Sequence, residues 1–178
     1  MRFCFALLAA LLLPLGSLPA RAQGSEAAVK AAFVYNFAKF VEWPPEVLYA
    51  SGQTLNLCLV GPRDGFLNAL TTLDGKVAQG KEIRVRAATL RADTLRGCQM
   101  LALAEGELRQ LEDILRLAGN TPLLTISENE RFAELGGIIA LVVSDNRVQF
   151  EINVDAAQRV NLRLSSQLLK LARNTRKP

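Results

Sequence analysis

The sequence predicts a single mixed α/β domain: a β-sheet of about six strands flanked by helices, ending in a β-hairpin and a C-terminal helix. Three observations carry this expectation. Short apolar runs alternate with helix-period segments along the chain, which argues for a sheet with connecting helices on its faces. The length beyond residue 22 suits one domain of ordinary size. Two consecutive strand-like runs near the end, joined by Ser144-Asp145-Asn146-Arg147, read as an antiparallel hairpin.

In order, the chain opens with a basic Arg2, an apolar run from Phe3 to Leu13 and the small-residue stretch Ala20-Arg21-Ala22. These are the parts of a cleavable signal peptide over residues 1–22, leaving an exported domain over 23–178, with an uncleaved anchor as the other reading. Cys4 leaves with it. The first helix is expected over about 25–41, with Val29, Ala32, Phe33, Phe37 and Phe40 forming one apolar stripe and Pro44 and Pro45 forbidding continuation. There follow a strand at about 54–60, a helix at 65–73, strands at 82–88 and 98–103, a helix at 106–117 and a strand at 122–127. A short helix at 130–135 is expected from Ser127 and Glu130, which have capping-box spacing. The hairpin strands at 137–144 and 147–154 come next, then a short helix at 155–160 and a closing helix at 165–173 capped by Ser165.

The composition narrows the chemistry. Removing Arg2 and Arg21 from the 21 basic residues leaves a balance of +2 against 17 acids, too mild for a nucleic-acid reader. The late Lys170, Arg173, Arg176 and Lys177 read as a solvated helix end and frayed tail, with a weak membrane-surface role as the other reading. There is no histidine, which removes His-dependent triads and most zinc centres. Glu105 with Glu107, and Glu128 with Glu130, stand near strand ends where α/β folds place their sites, but solvated glutamates are ordinary there. Gly61-Pro62-Arg63-Asp64-Gly65 lacks phosphate-loop spacing and reads as a simple strand-to-helix turn. No catalytic residue, cofactor or metal is implied.

Cys58 and Cys98 remain in a chain bound for an oxidising compartment, so one disulfide is expected. Closing a loop of roughly forty residues stabilises by about 4 kcal/mol on the chain-entropy account. A redox-active pair is the other reading, although such pairs are more typically Cys-x-x-Cys at a helix start.

In the second hairpin strand Val148, Phe150, Ile152 and Val154 alternate with Arg147, Gln149, Glu151 and Asn153, one face core and one polar. Ile138 to Val143 is apolar on both faces, so the face beside Glu151 needs cover from a helix or from another protein.

These residues together resemble the YfiR-like family of small periplasmic proteins. The resemblance rests on Lys30-Ala31-Ala32-Phe33 with Tyr35 to Pro44, Leu57 to Gly61, Cys98, Leu124 to Glu128, Gly136-Gly137 leading to Phe150-Glu151-Ile152-Asn153, and Leu164 to Ala172. It implies a non-enzymatic regulator, the namesake being a periplasmic repressor that binds an inner-membrane diguanylate cyclase and is drawn away by an outer-membrane, peptidoglycan-binding lipoprotein. It also implies a homodimer and a Cys58–Cys98 bridge. Glu151 matches a glutamate of the namesake's partner-binding surface and Ile139 an apolar residue of it; Leu141, Gln149 and Asn153 complete the expected surface here. The namesake's second cysteine pair falls at Ala133 and Ala140, so no second-bridge control carries over. Members also occur with sensor kinases, and a small-solute binder feeding such a kinase is the alternative function.

Overall fold

The computed structural model describes residues 21–176 apart from residue 64, without the side chains of 21–25, 108, 110 and 176. The expected signal segment, but for Arg21 and Ala22, lies outside the described residues.

Helix α1 (Arg21–Phe40) runs into a two-residue strand β1 (Val41–Glu42). Its buried face is Lys30, Ala31, Val34, Phe37 and Ala38, continued by Val41 of β1, so of the expected stripe Phe37 alone is fully buried. Val29 and Ala32 are exposed, and Phe33 and Phe40 lie on the half-buried flank. The observed face is itself an apolar stripe, Ala31, Val34, Ala38 and Val41 at steps of three and four, and Lys30 joins it paired with Glu26 and Glu128. Phe33 and Phe37 both reach Phe150, with ring centroids 5.4 and 5.1 Å away. The Gln79 side chain donates to the Ala38 and Val41 carbonyls, satisfying acceptors left free where the helix ends. Pro44 and Pro45 do more than stop a helix. Pro45 opens α2 (Pro45–Ala50), where a missing N–H costs nothing.

There follow β2 (Thr54–Val60), α3 (Gly65–Leu70) with a 3-10 turn at Thr71–Leu73, β3 (Val77–Ala78), β4 (Lys81–Ala87) and α4 (Ala92–Leu95). Then come β5 (Met100–Leu103), a 3-10 segment at Glu105–Gln110, α5 (Leu111–Ala118) and β6 (Leu124–Ser127). The hairpin is β7 (Ile139–Ser144) and β8 (Arg147–Asn153), followed by α6 (Val154–Arg159), β9 (Arg163–Leu164), α7 (Ser166–Leu171) and β10 (Asn174–Arg176). Asp145 and Asn146 both take positive φ, the geometry of a two-residue hairpin turn. The Ser165 hydroxyl accepts from the Leu168 N–H as the expected cap of α7.

The main sheet has eight strands in the order β10-β8-β7-β6-β5-β2-β4-β3. β4, β2, β5, β6 and β7 are mutually parallel, β8 runs antiparallel to β7, and β10 lies parallel to β8. A separate antiparallel pair joins β1 to β9. All six expected strands are present. The additional edges β3 and β10 are short, and β10 replaces the frayed tail expected after α7. The run 130–135 is a succession of turns rather than a helix. Ser127 does not form a capping box: its hydroxyl donates to the Leu103 carbonyl, 3.2 Å away, and Asn129 caps the turn by accepting from Arg131 N–H.

Two apolar layers sandwich the sheet. One collects α1, α3, α6 and α7 over Leu57, Ile126, Ile139, Leu141, Phe150 and Ile152. The other packs Leu95, Leu111, Ile114, Phe132 and Ala133 over Leu101, Leu103, Ala140 and Val142. The face beside Glu151 is therefore covered at β7 by α5 and the 131–136 turn.

Candidate interaction surface

The two-residue turn fixes the register of the hairpin. Ser144 pairs with Arg147, Val142 with Gln149, Ala140 with Glu151 and Ile139 with Ile152. Side chains directly opposite one another share a face, so Gln149, Glu151 and Asn153 lie with Ala140 and Val142. Ile139 and Leu141 point to the other face, where both are 0% exposed beneath the α1 layer. The structure thus brings together the polar row but keeps Ile139 and Leu141 apart from it, as core. Parity across the turn carries this assignment in the sequence itself, since pairing Ser144 with Arg147 already places Glu151 opposite Ala140.

Within the row the three residues differ. Asn153 is used by the fold: its side-chain oxygen accepts from the Ala156 N–H at 2.9 Å, capping α6, and its amide donates to the Ala133 carbonyl at 2.8 Å. It therefore ties β8 to the segment carrying Ala133, while Ala133 and Ala140 meet in one buried cluster. We expect Asn153→Ala to lower unfolding free energy by about 1–3 kcal/mol, measured by urea denaturation, because a cap and a tether are lost together. Gln149 and Glu151 are half-buried, and neither side chain makes a hydrogen bond or ion pair among the described residues. A half-buried carboxylate without an internal partner is a group available to an external one. Asn174, aligned with Glu151 in β10, continues this face toward the sheet edge.

The disulfide joins Cys58 on β2 to Cys98 just before β5, Cα atoms 5.9 Å apart, with both residues buried. It staples neighbouring parallel strands. The Arg86 guanidinium donates to Cys98 Sγ at 3.1 Å from the adjacent β4.

Strand order reverses between β2 and β5, and open α/β sheets place ligands outside the carboxyl ends of strands at such a point. Here the chain fills that crevice itself. Gly61, at φ +111°, lets the next segment approach so closely that a Cβ there would lie 2.6 Å from Ala104 Cβ and 2.9 Å from Glu107 Cγ. Gly61 thus makes the expected simple turn, and Glu107 serves as packing.

One polar contact escaped the sequence reading. Lys30, 7% exposed, places its ammonium 2.6 Å from Glu26 and 2.8 Å from Glu128 at the end of β6. Glu26 and Lys30 four residues apart in favourable order was the available signal. Burial opposes the lysine charge, but hydrogen bonds and attraction from Glu128 and then Glu26 outweigh it and raise the pKa above the ordinary lysine value. A raised folded value means the stabilisation is complete below the unfolded lysine value and is lost as pH rises through the folded one. Glu128→Gln should therefore cost about 1.5–3 kcal/mol at neutral pH. In urea titrations taken upward from neutral pH, that difference should persist through the ordinary lysine range and shrink beyond it.

Among the described residues no helix is long and apolar enough to cross a membrane, and no group of three or more Cys, Asp or Glu side chains is placed to hold a metal ion.

Comparison with known proteins gives a family and a fold. A family model described as YfiR/HmsC-like matches residues 27–173. Among solved structures, an ABC domain in complex with L-Trp from Streptococcus pneumonia is similar at a TM-score of 0.55 and 10% identity, over 85% of this chain and 60% of that one. A conserved domain protein from Vibrio cholerae O1 biovar El Tor is similar at a TM-score of 0.50 and 12% identity, over 68% of this chain and 54% of that one. The chain thus spans only about half to three-fifths of these structures, and at such identity the likeness is one of fold.

Proposed function

The chain belongs to the YfiR/HmsC-like family, and from that premise we propose that it is a periplasmic regulatory protein that binds and represses an inner-membrane signalling protein, a diguanylate cyclase in the first instance. The family match across residues 27–173 is the observation that carries this reading. The family is one of regulators rather than catalysts. Its members' link to diguanylate cyclases makes the cyclase the first partner to test and a sensor kinase the second.

We place the contact on the Gln149–Glu151 face. Glu151 is the group there with charge, partial exposure and no internal partner. Asn153 supports this face by holding β8 to the Ala133 segment, and Ile139 and Leu141 support it from beneath. Repression requires that the protein bind the inactive state of its partner more tightly than the active one. By the same premise it works as a homodimer, with an outer-membrane, peptidoglycan-binding lipoprotein as competitor. Deleting the gene should raise cellular cyclic-di-GMP, and restoring the exported protein should lower it; unchanged levels in both strains would count against repression of a cyclase.

One observation favours a second reading, a small-solute binder feeding a sensor kinase. A cavity of about 310 Å³ lies between α5, β6 and α6, with Thr125 and Ile138 in its lining and Arg159 beside them. A solute held there would raise the thermal midpoint in proportion to its saturation. Screening periplasmic amino acids by thermal shift decides this reading.

A further inference from the structure

The cavity of about 310 Å³ between α5, β6 and α6 sits at the amino end of β6, where Ala118, Gly119, Gly136 and Ala156 leave room for it. Gly136, at φ +101°, brings the chain close under Leu115, whose Cδ1 would lie 3.0 Å from a Cβ placed there. Leu115, Leu123, Ile138 and Val160 give the cavity aliphatic walls. Thr125, also in the lining, is only 2% exposed. Its hydroxyl accepts from the Ile138 N–H at 3.0 Å, and the hydroxyl proton meets no acceptor among the described residues. A buried hydroxyl with a donor to spare calls for an oxygen on whatever fills the cavity. Water can supply that oxygen, but water held against aliphatic walls is readily displaced by an apolar body.

One charged side chain lines the same cavity. Arg159, the last residue of α6, is exposed at its rim and makes no hydrogen bond or ion pair among the described residues. Asp155, one helical turn earlier, forms no ion pair with it. The remaining polar side chains of the lining, Asn120 and Thr121, are neutral, and no acidic side chain lines the cavity. Carbonyls at the end of α5, which would repel an anion, are already engaged: the Gly119 N–H donates to Leu115 O and the Thr121 N–H to Ala118 O. An unpaired cation at the rim, a hydroxyl donor inside and aliphatic walls around them complement a carboxylate on an apolar body. An ammonium would meet no charged side chain to pair with there.

We propose that this cavity binds a small apolar monocarboxylate, its carboxylate held by Arg159 and the Thr125 hydroxyl and its hydrocarbon body against Leu115, Leu123, Ile138 and Val160. The assignment rests on the second reading above, that the cavity holds a solute, and adds to it the class of solute and the residues that recognise it. It is independent of the Glu151 face.

The test is isothermal titration calorimetry of the oxidised mature protein with 4-methylvalerate and phenylacetate, against the uncharged 4-methylvaleramide and phenylacetamide and against acetate. Both acids are expected to bind, and their amides to bind about tenfold more weakly. Acetate, a carboxylate without a body, should not bind measurably. Arg159→Gln should weaken the acids about tenfold and leave the amides unchanged. Ala118→Leu, which fills the cavity, should abolish binding of all four. Melting curves without ligand check that both variants stay folded. Amides bound as tightly as acids, acids undiminished by Arg159→Gln, or acetate bound as tightly as the larger acids would overturn the monocarboxylate assignment and leave the cavity as a solute site. No binding by acids or amides, or binding undiminished by Ala118→Leu, would overturn the assignment and the solute reading together.

Discussion

The Cys58→Ser, Cys98→Ser protein should be less stable than the parent by about 4 kcal/mol, the value expected when a loop of this length is released in the unfolded chain. The bridge spans a sequence separation of 40 and ties β2 to the residues that lead into its neighbour β5, both cysteines buried. For a domain whose whole stability is on the order of 5–15 kcal/mol, such a loss is a large share. Urea unfolding of parent and variant, each in the absence of reductant, measures it. The same comparison separates a structural bridge from a redox one. A structural bridge resists mild reductant and its loss lowers stability without changing which partner is bound; a redox bridge would be opened at the glutathione potentials that structural disulfides withstand.

Glu151→Lys should leave folding intact and remove most partner binding. The side chain is half-buried on the face where Ala140, Val142 and Gln149 lie, and no internal acceptor or donor depends on it. Reversing its charge replaces an attraction with a repulsion in a partly desolvated contact, for which losses of roughly 2–5 kcal/mol are usual, or about thirtyfold to several thousandfold in affinity. Thermal melts should agree with the parent within about a degree or two, since surface changes away from packing stay within about 0.5 kcal/mol. A variant that represses normally would remove this face from the account.

Much of the fold was legible because its signals are local. Strand runs such as Leu57 to Val60 announce themselves, the Asp145-Asn146 turn fixes the hairpin, and Ser165 caps the helix it precedes. What was not legible depends on partners distant in sequence. The burial of Lys30 depends on its finding Glu128 across the fold, and apolar periodicity cannot see an ion pair. β10 has no apolar alternation to mark it; Asn174, Thr175 and Arg176 join the sheet through backbone bonds to β8. The turns at 131–136 carried a capping-box pattern, yet Ser127 bonded back to β5 instead. The interaction surface was half legible. The polar row was evident from alternation alone, and assigning Ile139 and Leu141 to the opposite face required the pairing register, which the length of the turn already implied.

We propose that this domain engages a membrane signalling protein through the Glu151 face. It is tested most directly by parallel affinity captures from detergent-solubilised membranes of the native organism, using oxidised parent and Glu151→Lys proteins, with captured proteins identified by mass spectrometry. A diguanylate cyclase or a sensor kinase should be retained by the parent and lost with the variant. Equal capture by both proteins, or capture of no membrane signalling protein by the parent, would contradict it.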